Sequence, residues 1–256
     1  MKRALANSFD PRGDSAYRQR IYSYYLHGHS DGFAPKAVDG LRPRAAHLEK
    51  LIRCHFPADR AASIVDLGCG HGALIHFARR AGYWNIEGID RSSEQVAAAR
   101  RLGICGVRCG DLFEALAEMA SASRDVVVAF DVIEHFRKDE LIAFADEVWR
   151  VLRSGGRWII HAPNGASPFS GRILYDDFTH ELAFTRESIG QVMLSSGFAR
   201  VECFEDAPVP HGIKSAARWA LWKCTRAALR LWLAAETGSI DRDAIFSQNL
   251  FAVAIK

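Results

Sequence analysis

The chain has 256 residues, of which 49% are apolar and 25% charged, and its formal net charge is +3; this excludes long disorder and gives no electrostatic footprint for a nucleic-acid binder. Six cysteines form no Cys-x-x-Cys pair, and the apolar run after Met1-Lys2-Arg3 is too short for a signal peptide. No uncharged stretch approaches the ~20 residues of a membrane span, so a cytoplasmic protein with reduced thiols is expected.

Residues 1–59 carry four tyrosines, Tyr17, Tyr22, Tyr24 and Tyr25, with His27 and His29, and read as a helical segment that lids a site or packs onto the body. Ser63–Leu67 is the first predicted strand. It runs into Asp66-Leu67-Gly68-Cys69-Gly70-His71-Gly72, where glycines permit a tight strand-to-helix turn and close approach of a ligand to bare backbone. Leu74, Phe77, Ala78 and Ala81 then recur at helical spacing. Three further strands are predicted at Asn85–Ile89, Ile104–Cys109 and Val126–Phe130. They end in Asp90-Arg91, Gly110-Asp111-Leu112 and Asp131-Val132-Ile133-Glu134-His135. Ligands of open α/β sheets bind outside the carboxyl ends of strands, so Asp66, Asp90, Asp111 and Asp131 are expected to line one crevice. Cys105 and Cys109 alternate with Val107 and are expected in the core rather than on zinc.

A helix through Leu141, Phe144, Ala145, Val148 and Leu152 is predicted to stop at Ser154-Gly155-Gly156, before a fifth strand at Arg157–Ala162. Thr185 caps a helix that ends at Gly197, a sixth strand lies near Arg200–Phe204, and Leu250–Ile255 makes a last one. Between these two strands, Ile213–Glu236 plots as an inserted helix. Ala217, Ala220, Leu221, Cys224, Ala227, Ala228 and Leu231 share a side expected to pack on the body. Lys214, Arg218, Lys223, Arg226 and Arg230 share the other with Trp219 and Trp222, a mixture suited either to solvent or to peripheral contact with an anionic membrane, such as the inner face of the cell membrane. The division is therefore 1–59, core 60–205, insertion 206–246 and last strand 247–256.

The Gly68-x-Gly70-x-Gly72 turn after Asp66 lacks the third glycine of a dinucleotide fingerprint, which would fall at Ala73. With the strand-terminal acids it resembles motif I of class I S-adenosylmethionine (SAM) dependent methyltransferases. The resemblance implies a Rossmann-like α/β sheet of seven strands with helices on both faces, the last strand antiparallel between the fifth and sixth. It implies that Asp66, Gly68, Cys69, Gly70 and Gly72 enclose the methionine moiety and that Asp90 and Arg91 stand at the ribose. Gly110, Asp111 and Leu112 would meet the adenine, with Asp131 and Val132 closing the site. The phrases Asp131-Val-Ile-Glu134-His135 and Asp177-Phe-Thr-His180-Glu181 resemble a bacterial subgroup close to quinone O-methyltransferases, often associated with surface polysaccharide or glycolipid synthesis. Transfer to a hydroxyl of a small molecule, sugar or lipid-linked acceptor needs a proton acceptor, and His135 and His180 are the candidate bases. Asp131, Glu134 and His135 could also ligate a divalent metal, though a metal-free site is the expectation. A non-catalytic SAM-binding module and a nicotinamide enzyme are the rival readings; the latter lacks its Tyr-x-x-x-Lys pair. No Asn-Pro-Pro-Tyr run or Pro-Cys pair supports nucleobase methylation.

Overall fold

The computed structural model describes residues 34–256; the expected tyrosine-rich lid, with Tyr17, Tyr22, Tyr24, Tyr25, His27 and His29, lies outside the described residues. A 3-10 turn, Val38–Leu41, leads into α1 (Arg42–His55), with Pro43 in the first turn, where its missing N–H costs nothing. The elements β1 (Ile64–Leu67), α2 (Ala73–Arg80), β2 (Ile86–Asp90), α3 (Ser93–Arg101), β3 (Val107–Cys109), α4 (Leu112–Glu118) and β4 (Arg124–Phe130) alternate strand and helix. They are followed by α5 (Lys138–Val151), β5 (Leu152–Pro163), the short α6 (Ser170–Leu174), α7 (Arg186–Ser195), β6 (Arg200–Glu205), α8 (Ile213–Thr237) and β7 (Asn249–Ile255).

The strands form one seven-stranded sheet in the order β3-β2-β1-β4-β5-β7-β6. Only β7 runs antiparallel to its neighbours, pairing Ile159 with Val253 on one side and Glu202 with Val253 on the other. This is a Rossmann-like methyltransferase sheet; the antiparallel insertion of β7 departs from the parallel six-stranded sheet of dinucleotide enzymes. Strand alternation sorts the core onto two faces. Val65, Leu67, Val127, Ala129, Trp158 and Ile160 face α4, α5 and α7 through Leu116, Phe144, Val148, Ile189 and Met193. Ile64, Val126, Val128, Ile159 and Phe251 face α1, α2 and α3 through Leu48, Leu51, Phe77 and Ala99.

Caps explain where helices begin. Ser92 accepts the Gln95 N–H, Asp111 accepts those of Phe113 and Glu114, and Thr185 forms a reciprocal capping box with Ser188. One glycine had no evident role in the sequence. A Cβ on Gly88 would lie 2.6 Å from Cys69 Sγ and 2.6 Å from Ile75 Cδ1, so the bare β2 backbone lets the glycine turn fold over the strand. Gly88→Ala is expected to cost about 1 to 3 kcal/mol by overpacking, read as a lower midpoint in chemical denaturation with an unchanged slope.

Three expectations need correction. The fifth helix ends at Val151, and β5 starts at once, so Ser154-Gly155-Gly156 is not a helix stop; the pairing register jumps from Arg124 opposite Leu152 to Val126 opposite Arg157, and residues 153–156 loop out of the strand. Cys105 and Cys109 are exposed, because β3 is a three-residue edge strand that begins only at Val107. The inserted helix is turned the other way: Trp222, Arg226, Leu229, Arg230 and Leu233 are among its partly covered residues, while Ala217, Ala220, Leu221, Cys224, Ala227, Ala228 and Leu231 are exposed. Arg226 Nε reaches Glu205 at 2.9 Å, and Arg230 donates to the Arg242 carbonyl at 2.9 Å. A partly buried carboxylate and an open carbonyl demand cations, and that demand outweighs burial of a mostly alanine stripe.

Candidate active site

A crevice of about 1120 Å³ opens at the carboxyl ends of β1, β2 and β4. Asp66, Gly68, Cys69, Gly70, Asp90, Arg91, Asp111, Leu112, Asp131, Val132 and His135 all line it. Gly72, Gly110 and His180 do not: a Cβ on Gly72 would meet Ile104 and Val107, so that glycine seats α2 against β3, the Gly110 amide continues the ladder to the Asp90 carbonyl, and His180 stands behind His135.

The first wall is built by the glycine turn. Gly68 and Gly70 have φ of +72° and +55°, in the region that side chains with Cβ avoid, and a Cβ on Gly68 would stand 2.3 Å from Val132 Cγ2. The Gly70 N–H donates to Asp90 Oδ2 at 2.7 Å and the Ser92 N–H to Oδ1 at 2.8 Å, which fixes the carboxylate at the end of β2. Burial raises Asp90 above the ordinary carboxylate range, against the lowering effect of those two N–H groups. Asp66 is buried on β1, and its Oδ1 has no hydrogen-bond partner among the protein atoms. Burial, and then the charge of Asp90, push its carboxyl up to about 8. An orphaned carboxylate oxygen beside a bare glycine backbone fits a ligand that carries a cation and lies against the main chain; SAM carries both an ammonium and a sulfonium.

The opposite wall is built by the turn after β4. Asp131 has a φ of +57°, unusual for a residue with Cβ, and its half-exposed carboxylate accepts from His161 Nδ1 at 2.5 Å. His161 is buried on β5, stacks on Phe130 with ring centroids 4.0 Å apart, and reaches Asp206 Oδ2 through Nε2 at 3.4 Å. His47 Nδ1 on α1 lies 3.3 Å from Asp206 Oδ1. Burial alone would lower His161, but the charge of Asp131 overcomes it and lifts the imidazole to about 10; burial would likewise raise Asp131, and the His161 imidazolium lowers it instead. Sequence reading missed this pair, although a lone histidine inside the apolar run Trp158-Ile-Ile-His-Ala is itself a signal that a partner waits inside the fold.

His135 and His180 come together. Their ring centroids are 4.8 Å apart, because the Glu181 and Leu182 amides both donate to the Glu134 carbonyl and clamp the 175–184 segment over the β4 turn. Thr179 Oγ1 gives its single hydrogen to Asp177 Oδ1 at 2.7 Å, so it accepts from His135 Nδ1 at 2.9 Å. That leaves Nε2 as the proton-accepting nitrogen of His135. His180 Nδ1 donates to the Ile173 carbonyl at 3.0 Å, which assigns Nε2 the same role there. Burial, then the neighbouring His180, pushes His135 down to about 4, so it is neutral at physiological pH. Glu134 is buried beside them with Oε2 lacking a hydrogen-bond partner, and burial raises it well above its ordinary value. Glu134, His135 and His180 bring ligand atoms within 4.8 Å of one another. The alternative grouping of Asp131 with Glu134 and His135 is not the one formed, because Asp131 turns to His161.

Residues 64–156 match the family described as "Methyltransferase domain". Those residues span β1 to the start of β5, the part of the sheet whose strand ends build the crevice. The chain is also similar to several proteins. A probable S-adenosylmethionine-dependent methyltransferase of Mycolicibacterium smegmatis is 31% identical over 140 residues, covering 53% of this chain and 51% of that relative, so the match spans about half the length of the curated protein. A SAM-dependent methyltransferase structure from Archaeoglobus fulgidus aligns over 91% of this chain and 99% of its own, with a TM-score of 0.62 at 17% identity. Phosphoethanolamine N-methyltransferase 2 of Haemonchus contortus in complex with SAM aligns over 95% of this chain and 60% of its own, with a TM-score of 0.58 at 18% identity. At these identities the two structures speak for the fold of the methyltransferase domain and of the elements around it.

Proposed function

We propose that this chain transfers the SAM methyl group to an oxygen of a small molecule, sugar or glycolipid. The observation that carries the reading is the meeting of two walls in one crevice: a cradle of carboxyl groups with an orphaned Asp66 oxygen, and a histidine held in its proton-accepting tautomer. Bound SAM supplies a sulfonium-activated methyl group; the protein's part is to place the acceptor, exclude water and take its proton.

Asp66 would receive the ammonium of the methionine moiety, with the glycine turn from Gly68 to Gly70 supplying bare backbone for it to lie against. Asp90, already held by two amides, would offer its outer lone pairs to the ribose hydroxyls, with Arg91 beside it, and Asp111 and Leu112 would hold the adenine. Val132 and Asp131 line the same crevice and would border the methyl group. His135 Nε2 accepts the proton of the attacking hydroxyl, with Asp177 and Thr179 orienting the ring and His180 supporting it. A proton-accepting His135 on the wall of an open crevice favours an enzyme over a non-catalytic SAM-binding module, and the antiparallel β7 disfavours the nicotinamide reading.

Asp90→Ala is expected to weaken SAM by about 1 to 3 kcal/mol, since it removes two ribose contacts and leaves the Gly70 and Ser92 amides without their acceptor. Isothermal calorimetry with SAM and with NAD tests both the site and the cofactor. Unchanged SAM affinity in the variant removes Asp90 from the site.

A further inference from the structure

We infer that α8 is a peripheral membrane-docking helix that seats the crevice edge of the protein on an anionic lipid surface. The reading rests on which side of α8 faces outward. Its 25 residues make a rod about 37 Å long that contributes no buried residue. Ile213, Leu221, Leu231 and Trp232 are 92%, 68%, 67% and 67% exposed, and at helical spacing they fall on one stripe with Ala217, Cys224, Ala228 and Ala235. An exposed apolar stripe of this length is rare on a surface that meets only water.

Charge selects the occupant. Lys214 and Arg218 border one flank of the stripe and Lys223 the other, and the helix has a single acid, Glu236, at its far end. Apolar residues along one line with cations on both shoulders complement the acyl boundary and anionic headgroups of a bilayer. No helix among the described residues is long and apolar enough to cross a membrane, so the contact is peripheral.

The topology places this surface beside the proposed chemistry. β6 ends at Glu205 and β7 begins at Asn249, opposite Pro163 at the end of β5, so the insertion both leaves and rejoins the sheet at its carboxyl edge. Asn164, at the same edge, donates to the carbonyls of Ile245 and Ser247 and ties the returning chain to the mouth of β5. Phe169 and Tyr175, 62% and 82% exposed, lie on the segment that follows this edge. A membrane under α8 therefore lies toward the carboxyl edge of the sheet, the edge at which the crevice opens. Resting on the methyl-transfer reading above, the acceptor class that follows is a hydroxyl group of a lipid or lipid-linked glycan.

The test is co-sedimentation of the full chain with phosphatidylglycerol vesicles and with phosphatidylcholine vesicles, at low and high salt, for the native protein, for Leu221→Glu with Leu231→Glu, and for Lys214→Glu with Arg218→Glu. The native protein is expected to bind the anionic vesicles at least about tenfold better than the neutral ones at low salt, and to release in high salt. Each double variant should lose about tenfold or more, with thermal unfolding and SAM affinity unchanged because all four side chains lie on the outer surface of α8. Failure of the native protein to bind anionic vesicles at low salt overturns the proposal, as does equal binding by the leucine variant. A concentration-dependent dimer in sedimentation velocity that the leucine variant abolishes also overturns it and assigns the stripe to a second copy of the chain. SAM calorimetry stands apart from all of these: loss of SAM binding sinks the methyl-transfer reading and leaves the docking result intact.

Discussion

Replacing His135 by alanine is expected to lower kcat by about 10²-fold or more while leaving SAM affinity unchanged. The ring lines the crevice, its Nδ1 is committed to Thr179, and its Nε2 is the proton-accepting nitrogen. It does this work only when neutral. Because burial and His180 hold it near 4, activity should rise with pH through that low value and stay level across neutrality, instead of showing the acidic limb near 6.5 of an ordinary histidine. Asp177→Asn keeps the ring but weakens the acceptor that orients it, so a smaller drop is expected there. The assay is release of S-adenosylhomocysteine against a panel of hydroxyl and amine acceptors. Full turnover by both His135→Ala and His180→Ala removes the general base. Loss of turnover in EDTA, restored by a divalent metal, would instead make Glu134, His135 and His180 ligands, since the same three side chains converge within ligand distance of one another.

The crevice was legible because its signals are local. A strand, an acid, glycines at 68 and 70 and three later strand-terminal acids all stand in sequence order, and a parallel sheet brings successive carboxyl ends to one edge whatever else the chain does. The contributions of Gly88 and His161 are not local: each is defined by what crosses it from another element, Cys69 and Ile75 in one case, Asp131 and Asp206 in the other. The orientation of α8 failed for a related reason. Periodicity shows that a helix has two unlike sides, but which side turns inward depends on the surface it meets, and here that surface offers Glu205 and the carbonyls of Arg242 and Ala244. Gly72 was read as a ligand contact because it belongs to the motif, yet its neighbours are Ile104 and Val107. Motif membership and contact are separate facts.

The Asp131 and His161 pair should make the fold itself depend on pH. Asp131→Asn is expected to cost about 2 to 4 kcal/mol, toward the lower part of the range for breaking a buried ion pair, because the outer edge of Asp131 opens to the crevice and Asp206 still faces His161. The imidazole is raised from 6.5 to about 10 in the folded protein, so its contribution is fully present below 6.5 and disappears as pH rises through 10. Asp131 is lowered from 3.8, so its contribution is present above 3.8 and disappears as pH falls below that value. Between about pH 3 and 10 the stability difference between native protein and variant should therefore be level from just above 3.8 up to 6.5 and shrink on both sides, falling steadily from 6.5 toward 10. Chemical denaturation across that range measures it, and a difference that does not change up to pH 10 would show that His161 is neutral in the folded state. His161→Phe separates structure from chemistry. It preserves the ring stacked on Phe130 while removing the charge, so if Asp131 must stay ionised to border the methyl-transfer position, this variant should fold and bind SAM yet turn over slowly. Full turnover would confine the pair to holding the strained β4 turn in place.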